Sequence, residues 1–295
     1  MRIRFPLLCT FLLAAAPFAQ ALTIRDDVGN SGAISLGASP MYASVGKLNR
    51  FGDITSGVLI APQFVLTARH LVVGDEAPPS SAPDYVFRAT SSFIFTIGGM
   101  DYTSAGYTKS GADDLAIIQL TAPVIGVTPA VLYTGSSEVG KEATMVGFGE
   151  GGLGSTGADG VRGTKRAVTN TIDFASSGRL LYSDFDSPAG LDNTLLTTYA
   201  IPSSPVPTSS EGLIAPGDSG GGTFATIDSQ LYLIGIHAGV SFEGGGPSFN
   251  YGDLSADTRV STAMPFIQSV VPEPTSLACL ALGLAVLGAR RNRQH

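Results

Sequence analysis

The chain has 295 residues, 44% hydrophobic and 14% charged, with a formal net charge of −7. Such length and apolar content supply a buried core for one large or two modest domains, and they exclude a disordered or collagen-like chain. The acidic balance argues against nucleic acid as a partner, because binding it needs a clustered basic surface.

Residues 1–21 have the three-part order of a secretory signal. Arg2 and Arg4 come first, an apolar run over 7–16 is broken only by Thr10, and Ala19-Gln20-Ala21 supplies a small-x-small cleavage sequence. The Sec export machinery is therefore an expected partner, and the mature chain is expected to begin near Leu22. Cys9 and Cys279 are the only cysteines, and both lie in terminal segments expected to be removed. The mature protein would then carry no thiol and no disulfide, so its stability must come from its core.

The middle of the chain is rich in Gly, Ser, Thr and Val and poor in Lys, Glu and Gln, which favours an all-β fold. Apolar segments at 57–60 and 64–67 flank Ala61-Pro62-Gln63 and predict a hairpin. Further strands are expected at 93–97, 115–120, 143–148, 197–201 and 231–237. The glycine-rich stretches 149–160 and 244–246 are expected to be irregular loops. One helix is expected, over 262–270, with Met264, Phe266, Ile267 and Val270 apolar and Pro265 in its first turn. The pattern is two consecutive β modules, about 40–130 and 140–260, closed by that helix.

The last segment, 271–295, opens with Val271-Pro272-Glu273-Pro274-Thr275-Ser276. An apolar run over 277–289 follows, and then Arg290, Arg291 and Arg293. A helix of that run spans about 20 Å against the ~30 Å hydrocarbon core, a marginal permanent anchor. Pro-Glu-Pro, apolar run and arginine cluster in this order resemble the PEP-CTERM sorting signal. The resemblance implies an exosortase-type processing enzyme as partner, transient inner-membrane retention and a cell-surface or extracellular destination. Membrane contact is expected only through this segment. Of the 17 basic and 24 acidic residues, 12 and 23 remain once both ends are removed, so the domain over 22–270 is strongly acidic.

Only His70 and His237 remain as histidines in that domain. With no cysteine beside them, a Cys/His metal site is excluded, and no calcium-loop signature is present. Neither a metal nor another cofactor is expected. The strongest local sequence is Pro216-Gly217-Asp218-Ser219-Gly220-Gly221-Gly222. Glycine on both sides of a serine permits a sharp turn, an exposed Oγ and convergent backbone N–H groups, as an oxyanion hole requires. The stretch also satisfies G-x-S-x-G, but an α/β-hydrolase places its acid and histidine after the serine. Here only 18 residues separate Ser219 from His237, and helices do not alternate with strands.

The order His, Asp, Ser fits instead. His70 ends Val65-Leu66-Thr67-Ala68-Arg69-His70, Asp114 opens Asp114-Leu115-Ala116-Ile117 44 residues later, and Ser219 follows after another 105. With Val146-Gly147-Phe148-Gly149 and Thr258-Arg259-Val260-Ser261, these segments resemble the chymotrypsin-like (trypsin-fold) serine proteases over about 45–270. The resemblance implies two consecutive six-stranded antiparallel β-barrels with a short C-terminal helix. It implies a serine endopeptidase acting on protein or peptide, with Ser219 as nucleophile, His70 as general base and Asp114, rather than its neighbour Asp113, orienting the imidazole. The N–H groups of Gly217 and Ser219 would bind the oxyanion.

Three positions depart from the family's pattern. Arg69 stands where alanine is usual, Ala238 stands near a serine that commonly supports the aspartate, and no activation sequence is evident. In zymogen-activated members the acid matching Asp218 pairs with a freed N-terminus. Here the chain is either matured after Arg25 or Asp218 has another partner.

The position where trypsin-like enzymes carry a specificity aspartate is Leu213, beside Ile214, so a non-tryptic preference is expected. His237, Ala238 and Gly239 would form one pocket wall, and Gly235-Ile236-His237-x-Gly239 resembles glutamyl endopeptidases. Acidic and apolar side chains are thus the competing preferences. The alternative to an enzyme is a catalytically silent trypsin-fold binding or structural protein of the extracellular matrix.

Overall fold

The computed structural model describes residues 22–73, 87–176, 179–243 and 245–272. The signal and residues 273–295 of the sorting segment, with Cys9 and Cys279, lie outside the described residues. The chain begins with a short buried strand β1 (Leu22–Ile24) and helix α1 (Gly29–Gly37). It then enters β2 (Val45–Arg50), β3 (Asp53–Ala61), β4 (Phe64–Thr67), β5 (Arg88–Ala89), β6 (Phe93–Ile97), β7 (Met100–Lys109) and β8 (Ala116–Leu120). The predicted hairpin at Pro62 is the β3–β4 turn. Neighbours run β5-β7-β6-β2-β3-β4-β8, and β8 also pairs with β7, which closes six of these strands into a barrel. Alternating side chains fill it: Leu48, Leu59, Val65, Phe95 and Ile118 are all at most 1% exposed.

The second half contains β9 (Glu142–Gly147), β10 (Gly151–Leu153), β11 (Gly157–Ala158), β12 (Arg166–Thr171), β13 (Phe174–Ser176) and β14 (Leu180–Asp184). Helix α2 (Thr194–Tyr199), β15 (Gly212–Leu213), β16 (Gly222–Ile227), β17 (Gln230–Ser241), β18 (Leu254–Arg259) and helix α3 (Val260–Val270) complete it. Seven strands pair in the order β12-β9-β16-β17-β18-β14-β13. This sheet is not closed by a backbone ladder among the described residues. Instead the Asn170 side chain on β12 donates to the Asp184 carbonyl of β14 at 2.8 Å and to the Gly212 carbonyl at 3.0 Å. A small sheet of β11-β10-β1-β15 packs beside it.

Four local expectations are corrected. Residues 197–201 read as a strand from their Thr and Ile content, but 194–199 are helix α2. Asn193 caps it, its side chain accepting the Leu196 N–H at 3.0 Å. The stretch 149–160 holds β10 and β11, and α1 and α2 add to the one helix expected. Helix α3 starts at Val260, so Pro265 lies inside it and not in its first turn, and the Ser261 carbonyl loses its usual donor. One apolar core joins both halves, with Val58 and Leu66 from the barrel meeting Val146, Phe224 and Ile236 of the second sheet and Phe266 and Ile267 of α3. Burying each such side chain contributes about 1.5–3 kcal/mol.

Candidate active site

Strand β4 runs Phe64–Thr67 against β8, with Thr67 opposite Ala116. The chain leaves β4 in a short 3-10 turn carrying His70, and it enters β8 just after Asp114. The pairing therefore puts the two side chains at one end of the barrel. His70 Nδ1 lies 2.7 Å from Asp114 Oδ2, and the His70 backbone N–H donates to Asp114 Oδ1 at 2.9 Å. One carboxylate thus fixes both the ring and its backbone. The side chains are 42% and 31% exposed, so the far side of the ring is open to solvent and to a ligand. Asp113 is turned away, paired with Arg179. Beside His70 lies a depression of about 260 Å³ bounded by Arg50, Phe51, Asp53, Thr55, Leu71 and Phe93.

Ser219 lies on the turn leading into β16. The Ser219 carbonyl accepts the Ser56 N–H of β3 at 3.1 Å, and Ser56 Oγ donates to the Gly217 carbonyl at 3.2 Å. Thr67 Oγ1 on β4 donates in turn to the Ser56 carbonyl at 2.9 Å. Gly220 stands at φ +79, and a Cβ there would overlap Thr67 Oγ1 and the Ser56 carbonyl. Only glycine allows the serine turn to sit this close to the strand that leads to His70. Ser56 is a positioning residue that sequence reasoning missed, since a lone serine in a β segment carries no signal.

Gly217, at φ +89, and Asp218 are buried, while Ser219 is half-buried. Asp218 turns its carboxylate inward. Ala215 N–H donates to Oδ2 at 2.9 Å, while Asp218 N–H donates to the Ala215 carbonyl at 3.0 Å. Arg69 and Ala238 are half-buried.

The residues expected to shape a pocket are mostly enclosed. Leu213 lies in β15 opposite Thr23 of β1, Ile214 packs with Leu22 and Met145, and His237 is 0% exposed. The His237 ring lies under the serine turn, Nδ1 3.1 Å from the Asp218 carbonyl. Burial lowers its pKa to about 4 against the two backbone hydrogen bonds that raise it, so the ring is neutral near pH 7. Ala238 and Gly239 are half-exposed. Strand β16 pairs with β17 only as far as Ile236, while β18 pairs with it as far as Ser241. Among the described residues, β17 therefore presents an unpaired edge from Ala238 onward, immediately beside the serine turn.

A family model described as Trypsin matches residues 33–267. The chain belongs to the trypsin family. That membership supports a serine-protease kind of hydrolase. A second model, the PEP-CTERM protein-sorting motif, matches residues 270–293 and marks this trypsin-family chain for export to the cell surface or extracellular space. No curated protein matches the chain. Among the described residues no helix is long and apolar enough to cross a membrane.

Proposed function

We propose that the protein is an exported serine endopeptidase working through Ser219, His70 and Asp114. The observation that carries this reading is the two-point hold of Asp114 on His70. With Nδ1–H committed to Asp114, Nε2 is left as the base. It takes the proton of Ser219 Oγ as that oxygen attacks the scissile carbonyl, and it later delivers the proton to the leaving amine. Asp114 stabilises the imidazolium between these steps. The N–H groups of Gly217 and Ser219 receive the oxyanion, each donor contributing about 2.7–4 kcal/mol. Water then hydrolyses the acyl-enzyme by the same route in reverse. Replacing Ser219→Ala tests the assignment: hydrolysis of a casein substrate should fall to background with the fold unchanged, and undiminished hydrolysis would refute it.

The free edge of β17 supports substrate binding as an added strand, with the scissile bond brought to Ser219. Leu213 offers no charge to Arg or Lys, which supports a non-tryptic preference. The neutral, enclosed His237 offers no cation to a glutamate, so an apolar or small side chain before the scissile bond is favoured over an acidic one. A peptide library reads this directly. Cleavage after Leu, Phe or Ala that is indifferent to His237→Ala fits, and cleavage after Glu that is lost in this variant contradicts it. The PEP-CTERM segment supports exosortase-type processing as the last step of export.

A further inference from the structure

Each proposed oxyanion donor is one end of a rigid peptide plane whose other end is the preceding carbonyl, pointing the opposite way. Whatever holds that carbonyl therefore aims the N–H. The Gly217 N–H shares its plane with the Pro216 carbonyl, which accepts the Glu150 N–H at 2.6 Å. The Ser219 N–H shares its plane with the Asp218 carbonyl. That carbonyl accepts the Gly221 N–H at 2.8 Å and lies 3.1 Å from His237 Nδ1. A backbone group grips the first plane, and a side chain joins the grip on the second.

A carbonyl oxygen has no proton to give, so Nδ1 carries the hydrogen of the neutral ring and donates it. The backbone of His237 is itself clasped to the serine turn. Its N–H donates to the Gly221 carbonyl and its carbonyl accepts the Gly220 N–H, both at 3.0 Å. Gly221 leaves room for the ring: a Cβ there would stand 2.8 Å from Nδ1 and 2.9 Å from the Asp218 carbonyl oxygen. Asp257, opposite His237 on β18, is turned to Thr223 Oγ1, which donates to it at 2.6 Å. On the far side of the ring, Nε2 is buried and has no hydrogen-bond partner among the described residues. An apolar side chain would fill this place without leaving a buried nitrogen unsatisfied, so packing alone does not call for a histidine here.

We propose that His237 is a positioning residue for the Ser219 half of the oxyanion hole: its Nδ1–H pins the Asp218 carbonyl and so keeps the Ser219 N–H aimed at the oxygen that gains charge. The ring does not touch the substrate. It acts through the peptide plane in two ways. The plane cannot turn, and a carbonyl that already accepts a hydrogen bond makes the N–H of its own amide a stronger donor. The role of a histidine in this wall is thus to serve the rate, while the choice of side chain before the scissile bond lies elsewhere.

This role rests on the protease reading above, and one experiment separates the two. The secreted native chain is compared with His237→Leu, which removes the donor, His237→Asn, whose amide nitrogen falls where Nδ1 was, and His237→Gln, whose amide falls where Nε2 was. Each form is checked for folding by its urea midpoint, and kcat, KM and the affinity for a peptidyl trifluoromethyl ketone are measured. That ketone places an oxyanion on the Ser219 adduct. Leu and Gln should lower kcat by about tenfold to a hundredfold at unchanged KM, with ketone affinity falling by the same factor, and Asn should recover most of the loss. The relative preferences in a peptide library should stay those of the native chain. Native kcat in a folded Leu variant, or a loss carried by KM with ketone affinity unmoved, overturns the role. Should the Leu variant fail to fold, the Asn and Gln variants carry the test, and equal kcat in these two overturns it. If the native chain neither hydrolyses peptide nor takes up a fluorophosphonate, the protease reading falls and this role with it, whereas native hydrolysis that none of the variants slows sinks the role alone.

Discussion

At adjacent positions, Asp113 and Asp114 face different partners, and their substitution should part them. Asp114→Asn would offer His70 an amide that leaves the ring in the wrong tautomer, which should lower kcat by about 10⁴ with binding little changed. Asp113→Asn loses its pairing with Arg179 and leaves the hold on His70 in place, so kcat should stay within about threefold. Steady-state kinetics on both variants check this. A second residue-scale consequence concerns acids under β14. Burial, reinforced by the charge of Asp184, raises Asp173 to about 8 and Asp186 to about 8. Burial also raises Glu211 to about 7 against its hydrogen bonds from Thr208 and Asp186. These groups hold protons in the fold that the unfolded chain releases near pH 4, so their stabilisation is complete below pH 4 and is lost as pH rises through 8. His237, lowered to about 4, acts only below its unfolded pKa of about 6.5. Between pH 6.5 and 8 these acids act with Asp257, which burial raises to about 7, each at up to about 1.4 kcal/mol per pH unit, and Lys165, which burial lowers to about 8, opposes them only above that. The urea midpoint should fall across that window, and Asp173→Asn with Asp186→Asn should flatten the fall.

Among elements, the segment before β9 is tied to the start of helix α3 through Glu138. Arg259 Nε donates to Glu138 Oε1 at 2.8 Å and Nη2 to Oε2 at 2.6 Å, with Ser261 Oγ adding a bond of 3.2 Å. Both charges are buried, so Glu138→Gln leaves Arg259 without its counter-ion and should cost about 3–5 kcal/mol, read as a lower urea midpoint at unchanged slope. Restored stability in the double variant Glu138→Gln, Arg259→Met would locate the cost in the unpaired charge. Elements also differ in how far sequence reveals them. Strands β4, β6 and β8 announce themselves by apolar runs between turn residues. Strand β1 has three residues and partners 129 and 190 positions away, so no local pattern marks it. Helix α2 is held by tertiary caps, Asp184 Oδ2 accepting the Leu195 N–H at 3.1 Å, which override the strand propensity of Thr and Tyr. In 149–160, glycine reads as loop, although its missing side chain is what lets β10 and β11 pair.

On the scale of the whole molecule, the candidates His70, Asp114 and Ser219 are legible in the sequence because reactive residue types, their order and flanking glycines are local features. The parts that support them are not. Ser56 is an ordinary residue that matters only through contacts made across the fold. The two expected processing sites are likewise local sequence patterns. Protein recovered from the medium should begin at Leu22, end within or before the Pro-Glu-Pro region and take up no thiol-alkylating reagent even when unfolded. Intact mass checks all three, and retention of Cys279 in that form would refute the processing.

The claim on which the rest depends is that Ser219 is an activated nucleophile. Incubating the secreted protein with a fluorophosphonate and mapping the adduct by peptide mass spectrometry tests it most directly. The account predicts one adduct per chain, on the peptide bearing Ser219, absent after Ser219→Ala and slowed in Asp114→Asn. A native, folded protein that takes up no probe, or takes it up at another residue, would contradict it.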